Sequence, residues 1–402
     1  MNAPDQAVAY LDHAATTPIY PEVVEAMAEQ MVSLGNASSL HGSGRSARRV
    51  VEESRESIAA ALGARPSEVV FTSGGTEADN LAIKGFYWAR HREDPRRVRV
   101  LSTTVEHHAV LDPLQWMAAD EGAEVELVPV DADGRLDLAA LEASIARDPE
   151  SVALITVMWA NNEVGTLQPI DDVVALAAAH DIPVHTDAVQ AMGQVPLDFA
   201  ASGVDAMTVT GHKVGGPFGV GVLLLRKEAE LVSLLHGGGQ ERDVRSGTID
   251  APAIVGFARA TELAIKGQAS RALQLTELRD DLVRRVLDVV PDAIVNGPLG
   301  AQRLPGNAHI SFPGCEGDSL LMLLDAQGIE CSTGSACSAG VPQPSHVLLA
   351  MGRSEAIARA SLRFSLGHTS TPTDVDRLIE ALPPAVERAR AAGVAAAPGD
   401  RR

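Results

Sequence analysis

Lys213 ends the run Val209-Thr210-Gly211-His212-Lys213, and Asp187 follows Val184-His185-Thr186. Each closes a short apolar run that reads as a buried strand, so both side chains should emerge at strand ends, where open α/β sheets bind ligands. A third piece is Val69-Val70-Phe71-Thr72-Ser73-Gly74-Gly75-Thr76-Glu77. It reads as a strand, a tight glycine turn and a helix starting at Thr76. Free N–H groups and the helix dipole at such a start favour an anion. The same kind of turn also serves simply to cap a helix, and its spacing matches neither a P-loop nor a dinucleotide fingerprint. An amine, an acid and an anion nest together suit an aldehyde cofactor such as pyridoxal phosphate. That group needs an amine for a Schiff base, an acid to keep its ring nitrogen protonated, and a cradle for its phosphate.

The three cysteines, Cys315, Cys331 and Cys337, are too few for a disulfide framework and fit no common zinc spacing, so no metal site is expected. Cys315 and Cys331 read as small buried or half-buried residues. Cys337 stands in Gly334-Ser335-Ala336-Cys337-Ser338-Ala339-Gly340-Val341-Pro342-Gln343-Pro344, small residues ending in two prolines. That composition suits neither a helix interior nor a central strand and predicts an exposed, mobile loop. A thiol there is either a tolerated surface residue or one kept for its reactivity.

The elements that must position these residues alternate along the chain. Strands are expected at Val69–Thr72, Val98–Thr103, Val125–Val130, Val152–Met158, Pro183–Thr186, Ala206–Thr210 and Val220–Leu225. Helical spacing links Ile170, Val173, Val174, Ala177 and Ala178, and Leu136, Leu138, Leu141 and Ile145 mark another helix. The pattern predicts an α/β fold with a mostly parallel seven-stranded sheet and helices on both faces. Val220–Leu225 follows its predecessor too closely for a crossover helix and should pair antiparallel. Beyond Thr248 the alternation stops. One long helix, Pro252 to about Val290, should lead into a smaller α+β region with strands near His309–Phe312 and Ala360–Ser365. The expected division is a large domain over 16–256, a small domain of 1–15 and 257–390 carrying the cysteine loop, and a disordered tail over 391–402.

The chain has 402 residues and is 46% apolar, enough to bury a large core. Its 33 basic and 53 acidic residues give a net charge of −20, which disfavours nucleic acid or an anionic membrane as partner. No apolar run approaches the roughly 18 residues of a membrane span. Met1 to Val8 is short and polar with no signal-peptide pattern, which points to a cytoplasmic location.

Four further stretches complete a pattern: Gly211-His212-Lys213, Asn161-Asn162-Glu163-Val164-Gly165, Arg245-Ser246-Gly247-Thr248 and Gly334-Ser335-Ala336-Cys337. With these, the chain resembles the cysteine desulfurases, pyridoxal-phosphate enzymes of the class V aminotransferase group with fold type I, and among them the branch that builds iron–sulfur clusters. The resemblance runs from Tyr10-Leu11-Asp12-His13-Ala14-Ala15-Thr16-Thr17-Pro18 to Ser361-Leu362-Arg363-Phe364-Ser365. It implies that Lys213 forms the Schiff base and moves the substrate Cα proton, that Asp187 pairs with the ring nitrogen, and that Gln190 donates to the ring hydroxyl. Gly75, Thr76, Thr210 and His212 would hold the phosphate, with Thr248 reaching it from the other subunit of a homodimer. His107 would lie over the ring and move protons, although a histidine in a polar turn is often only solvated. Asn162 would neighbour cofactor and substrate, and Asn36 would line the substrate end. Arg363 would bind the substrate carboxylate bidentately, its alternative being a structural ion pair.

The activity implied is conversion of L-cysteine to L-alanine, with sulfur held as a persulfide on Cys337 and passed to an acceptor or scaffold protein. Ala339-Gly340-Val341-Pro342 departs from the commoner polar sequence beside that cysteine. Two alternatives share the scaffold: a selenocysteine lyase, and an aminotransferase, which would need no cysteine at 337. A third, a cofactor-free sulfur carrier, would need neither Lys213 nor Asp187.

Overall fold

The computed structural model describes residues 8–334 and 343–396; Cys337 lies outside the described residues. The strands in chain order are β1 (Ala9–Tyr10), β2 (Val69–Thr72), β3 (Arg99–Thr103), β4 (Glu124–Val128), β5 (Val152–Thr156), β6 (Val184–Asp187), β7 (Ala206–Thr210) and β8 (Gly221–Leu225), then β9 (Ile294–Asn296), β10 (Asn307–Ser311), β11 (Ile329–Glu330) and β12 (Ser361–Ser365). Strands β2 to β8 form one seven-stranded sheet in the order β2-β8-β7-β6-β5-β3-β4. The pairs β7–β6, β6–β5, β5–β3 and β3–β4 are parallel, and β8 is antiparallel to both β7 and β2.

Every residue of β2, β5, β7 and β8 is buried because helices cover both faces. Val70 packs with Ala78, Leu81 and Phe86 of the helix Gly75–Glu93 on one face. Val69 and Phe71, one residue to either side, join Ile58 of the helix Gly42–Ala61 and Phe257 of the helix Ala251–Lys266 on the other. A separate hydrophobic cluster joins β10 and β12 to the helices Gln268–Val289, Gly317–Asp325 and Pro372–Ala396, and includes Ala9 and Leu11 from the start of the chain. Among the described residues, no helix is long and apolar enough to cross a membrane.

Two expectations differ from the structure. The stretch read as one helix from Pro252 to Val290 is two, Ala251–Lys266 and Gln268–Val289, broken at Gly267, the poorest helix former there short of proline. The last helix runs on to Ala396 rather than giving way to a tail at 391. The small residues that suggest a frayed end are mostly alanines, which have the highest helix propensity.

The outer edge of β2, which leads into the glycine turn, is closed by side chains instead of a further strand. Val69 O accepts from Arg55 Nη1 at 2.7 Å and from Arg242 Nη2 at 2.9 Å, while the Phe71 N–H donates to Glu241 Oε2 at 3.0 Å. Arg55 and Glu241 meet in two 2.8 Å bonds, both side chains buried, with the guanidinium 4.6 Å from the Phe71 ring centroid. These side chains occupy groups that an open edge would offer to another chain. Glu241→Ala leaves the buried Arg55 to the half-exposed Glu52 and frees a strand N–H, and should lower stability by about 2–3 kcal/mol in a denaturant titration. A loss below about 1 kcal/mol would mean that the pair does not hold the edge.

Candidate active site

One cavity of about 410 Å³ opens where the C-terminal ends of β6 and β7 meet the start of the helix Gly75–Glu93. Its lining includes Gly75, Thr76, His107, Asn162, Asp187, Gln190, Thr210, His212, Lys213 and Arg363. Ten of the residues picked from the sequence therefore converge on it.

Lys213 ends the short turn Gly211–Lys213 that follows β7. Its Nζ donates to the carbonyls of Ala14 at 2.6 Å and Ala15 at 2.8 Å, so the N-terminal segment folds across the sheet to meet it. Burial, with Arg363 nearby, pushes its pKa down to about 8, which brings the neutral, nucleophilic amine within reach at neutral pH. Gln190 Nε2 donates to the same Ala14 carbonyl at 2.9 Å. Asp187 ends β6, and its Oδ1 accepts from the Val189 N–H at 2.9 Å. Burial pushes its pKa up to about 6, with the Val189 bond and Lys213 opposing that rise.

At the opposite end, no side chain caps the helix Gly75–Glu93, so its first N–H groups are free of a side-chain acceptor. Gly74 sits at φ +152°, a region essentially reserved for glycine. Behind the turn, a Cβ on Gly221 would lie 2.7 Å from the Gly74 backbone, so β8 can pass only because that residue is glycine. Thr76 and His212 border the same end; His212 Nδ1 is buried with no partner among the described residues. The hydroxyl of Thr210 donates to Val220 O at 3.1 Å. An uncapped helix start, an orphaned ring nitrogen and a carboxylate at the far end fit a flat ring with an anionic arm and a basic nitrogen. The residues present thus match the group that the sequence suggests.

His107 caps the helix His108–Asp120: its Nδ1 accepts from the Ala109 N–H at 3.1 Å, which leaves the proton of the neutral ring on Nε2. Burial, then Lys213, lowers its pKa to about 4, so it faces the cavity uncharged. Arg363 in β12 donates from Nη1 to Asn162 O at 3.0 Å and from Nη2 to Asp12 Oδ1 at 2.8 Å. Among the described residues its buried Nε has no partner, so the fork retains capacity for an anion.

Two residues picked from the sequence do not line the cavity. Asn36 is exposed, and its Oδ1 accepts from the Ser38 N–H at 2.8 Å, a local turn that satisfies a short polar side chain without any ligand. Thr248 is exposed and lies outside this chain's own lining.

Conversely, several acids at the site carry no sequence signal of their own. Asp79, one turn into the helix Gly75–Glu93, is buried with Oδ1 unpartnered, and burial pushes its pKa well up. Its Oδ1 lies 3.6 Å from Nε2 of His185, which is held between the hydroxyls of Thr156 at 2.9 Å and Thr208 at 3.0 Å. Glu106, beside His107, accepts from Thr103 Oγ1 at 2.7 Å and from the Met158 N–H at 3.0 Å.

The model of the family described as "Aminotransferase class-V" matches residues 9–378. The chain belongs to the class V aminotransferase family. Among curated members of that family, an IscS-like cysteine desulfurase of Mycobacterium tuberculosis is 58% identical over 98% of this chain and 100% of its own length. A cysteine desulfurase IscS of Methanosarcina thermophila is 43% identical over 95% of this chain and 92% of its own. Among solved structures, a NifS-like protein superposes with a TM-score of 0.87 at 35% identity, covering 95% of this chain and all of the other. A NifS-like protein from Rickettsia africae does so with a TM-score of 0.85 at 32% identity, covering 94% of this chain and 99% of its own.

The raised pKa of Asp187 means that burial opposes its charge. In a class V aminotransferase without ligand, that cost is present in full above about pH 6 and fades as the pH falls toward 4, where both folded and unfolded forms take up the proton. Asp187→Asn should therefore stabilise the ligand-free protein at pH 7.5 by about 1–3 kcal/mol, with the gain shrinking at pH 5. Paired denaturant titrations at the two pH values test this; equal gains at both would show that the charge is not the cause.

Proposed function

We propose that the cavity binds pyridoxal 5'-phosphate and L-cysteine and that the chain acts as a cysteine desulfurase for iron–sulfur cluster assembly, releasing L-alanine and passing sulfur onward. The observation that carries this reading is the convergence of a desolvated amine, a buried carboxylate and an uncapped helix start on one cavity. The full-length likeness to cysteine desulfurases supports it.

Lys213 would hold the cofactor's aldehyde carbon, Asp187 its ring nitrogen, Gln190 its ring hydroxyl, and Gly75, Thr76, Thr210 and His212 its phosphate. When bound, the cofactor supplies an electron sink that makes the substrate Cα–H acidic. Lys213, freed by the incoming substrate amine, takes that proton from Cα and returns one. His107, neutral and bearing its free proton on Nε2, is placed to exchange protons with the substrate or its thiol. Arg363 orients the substrate carboxylate with Asn162 beside it, a planar fork doing what a point charge cannot. The thiolate of Cys337 attacks the substrate sulfur, so a new S–S bond forms as the Cβ–S bond breaks. The electron pair of the broken bond stays on carbon, protons complete alanine, and the sulfur remains on Cys337 as a persulfide.

The reading includes a homodimer in the cytoplasm. Val32, Leu34 and Leu40 are each at least 85% exposed along one stretch of chain, an apolar surface that a second copy would cover. Thr248 would reach the other copy's phosphate site. Free, unpaired thiols suit a reducing compartment.

Purified protein given L-cysteine and a reductant should release alanine and sulfide in equal amounts and show a visible cofactor band. Cys337→Ala should keep the band and lose sulfide release. Turnover of that variant at the wild-type rate would favour the lyase or aminotransferase alternative instead. Arg363→Lys should raise KM for L-cysteine by about tenfold or more, as expected for loss of a bidentate contact, with a smaller change in kcat. An unchanged KM would remove Arg363 from the substrate site.

A further inference from the structure

The turn Asn161-Asn162-Glu163-Val164-Gly165 gives the cavity its Asn162, but the chemistry above leaves its acid idle. Glu163 is 2% exposed and lines the cavity. Its backbone is fixed from two sides. Asn161 Oδ1 accepts from the N–H groups of Glu163 and Val164, both at 2.9 Å, and Asn307 Nδ2 donates to Glu163 O at 3.0 Å. Gly165 closes the turn at φ +79°, where a Cβ would lie 2.9 Å from the Asn307 side chain. The Glu163 side chain therefore stands on a rigid post.

Its carboxyl bonds to one segment distant from that post in sequence and stands beside a second. Oε2 accepts from the Ser345 hydroxyl at 2.5 Å, and Ser345 is 1% exposed. Ser345 Oγ accepts in turn from the Leu348 N–H at 3.1 Å and caps the helix His346–Ala350. The same carboxyl oxygen lies 3.4 Å from the point where a Cβ on Gly334 would sit, and His309 Nε2 lies 3.0 Å from it. Gly334 is at φ +82° and donates its N–H to Ser332 Oγ at 3.1 Å. Gly334 and Ser345 flank the stretch of sequence that carries Cys337. One flank is thus bonded to a buried oxygen at the wall of the cavity, and the other passes beside it.

We propose that Glu163 is a positioning residue for sulfur transfer, holding Ser345 in fixed relation to the cavity and so fixing one flank of the stretch of sequence that carries Cys337. The inference rests on the desulfurase reading above. The role requires a hydrogen-bond acceptor at the place of Oε2 and no negative charge. A glutamine supplies that acceptor; an alanine does not. The hydrogen bond of Glu163 runs to Ser345 and not to Lys213, Asp187 or the uncapped helix start, so the cofactor band should not depend on it.

The test is single-turnover kinetics on the cofactor-loaded dimer with L-cysteine, comparing wild type with Glu163→Ala, Glu163→Gln and Ser345→Ala. Glu163→Ala and Ser345→Ala should keep the cofactor band, and Ser345→Ala should also keep the wild-type cysteine dependence of its spectral change. Alanine formation should slow by about tenfold or more, the scale expected when a reacting group loses its position. Glu163→Gln should stay within about threefold of wild type, since it keeps the acceptor. Wild-type speed in Glu163→Ala, or a Glu163→Gln as slow as Glu163→Ala, overturns the proposal. So does loss of the cofactor band in Glu163→Ala, which would place the residue in support of the cofactor. Wild-type protein that forms no alanine would sink the desulfurase reading and this inference with it, whereas a wild-type rate in Glu163→Ala sinks the inference alone.

Discussion

Burial of an amine and a carboxylate at the ends of two adjacent parallel strands is the constraint on which the rest of the structure depends. β6 and β7 pair directly, with Asp187 opposite Thr208, so Asp187 and the turn bearing Lys213 emerge at the same edge of the sheet. Neither group has a full ionic partner there. Among the described residues, Lys213 bonds to the carbonyls of Ala14 and Ala15 alone, and Asp187 accepts from a single backbone N–H. Each is therefore less charged than it would be in water, and each is answered better by a ligand with an electrophilic carbon and a basic nitrogen than by the protein itself. The core-filling strands beneath hold the two in place.

The histidines around the cavity follow the same logic. Burial lowers the pKa of His107 and His212 in its wall and of His185 beneath it, so these three rings are neutral at physiological pH and act as donors and acceptors of hydrogen bonds, not as charges. A cavity that already holds Lys213 and Arg363 would repel further cations. Neutral imidazoles add polarity there without adding positive charge.

Much of this was legible in the sequence because local rules carried it. Uninterrupted apolar runs marked the strands of the large sheet, and the short Gly-Pro connection before β8 marked its reversed direction. The residues Gly75, Thr76, Asp187 and Lys213 stand at strand ends and a helix start, places that periodicity can find. What stayed hidden depends on contacts between distant segments. Asp79 and Glu106 look like ordinary acids until the fold buries them, and the turn Asn161–Gly165 reads as a loop until Asn307 and Ser345 arrive to use it. Gly267, one glycine in a helical pattern, was equally silent. Asn36 misled for the opposite reason, since its side chain is satisfied within its own turn.

The carbonyls that receive Lys213 belong to a segment held by the far end of the chain. β1 pairs with β11, the Leu11 carbonyl accepts from the Ser365 N–H at 2.7 Å, and the His13 N–H donates to Ser365 O at 3.2 Å. The segment from Ala9 to His13 thus waits for β12 before it can settle, a contact of very high sequence separation. A nascent chain can build the large sheet early, yet the lysine's seat is incomplete until β12 has left the ribosome. Capture of a ligand at that seat would then mark a chain in which β12 has joined, and would stabilise that form over any that lacks the strand.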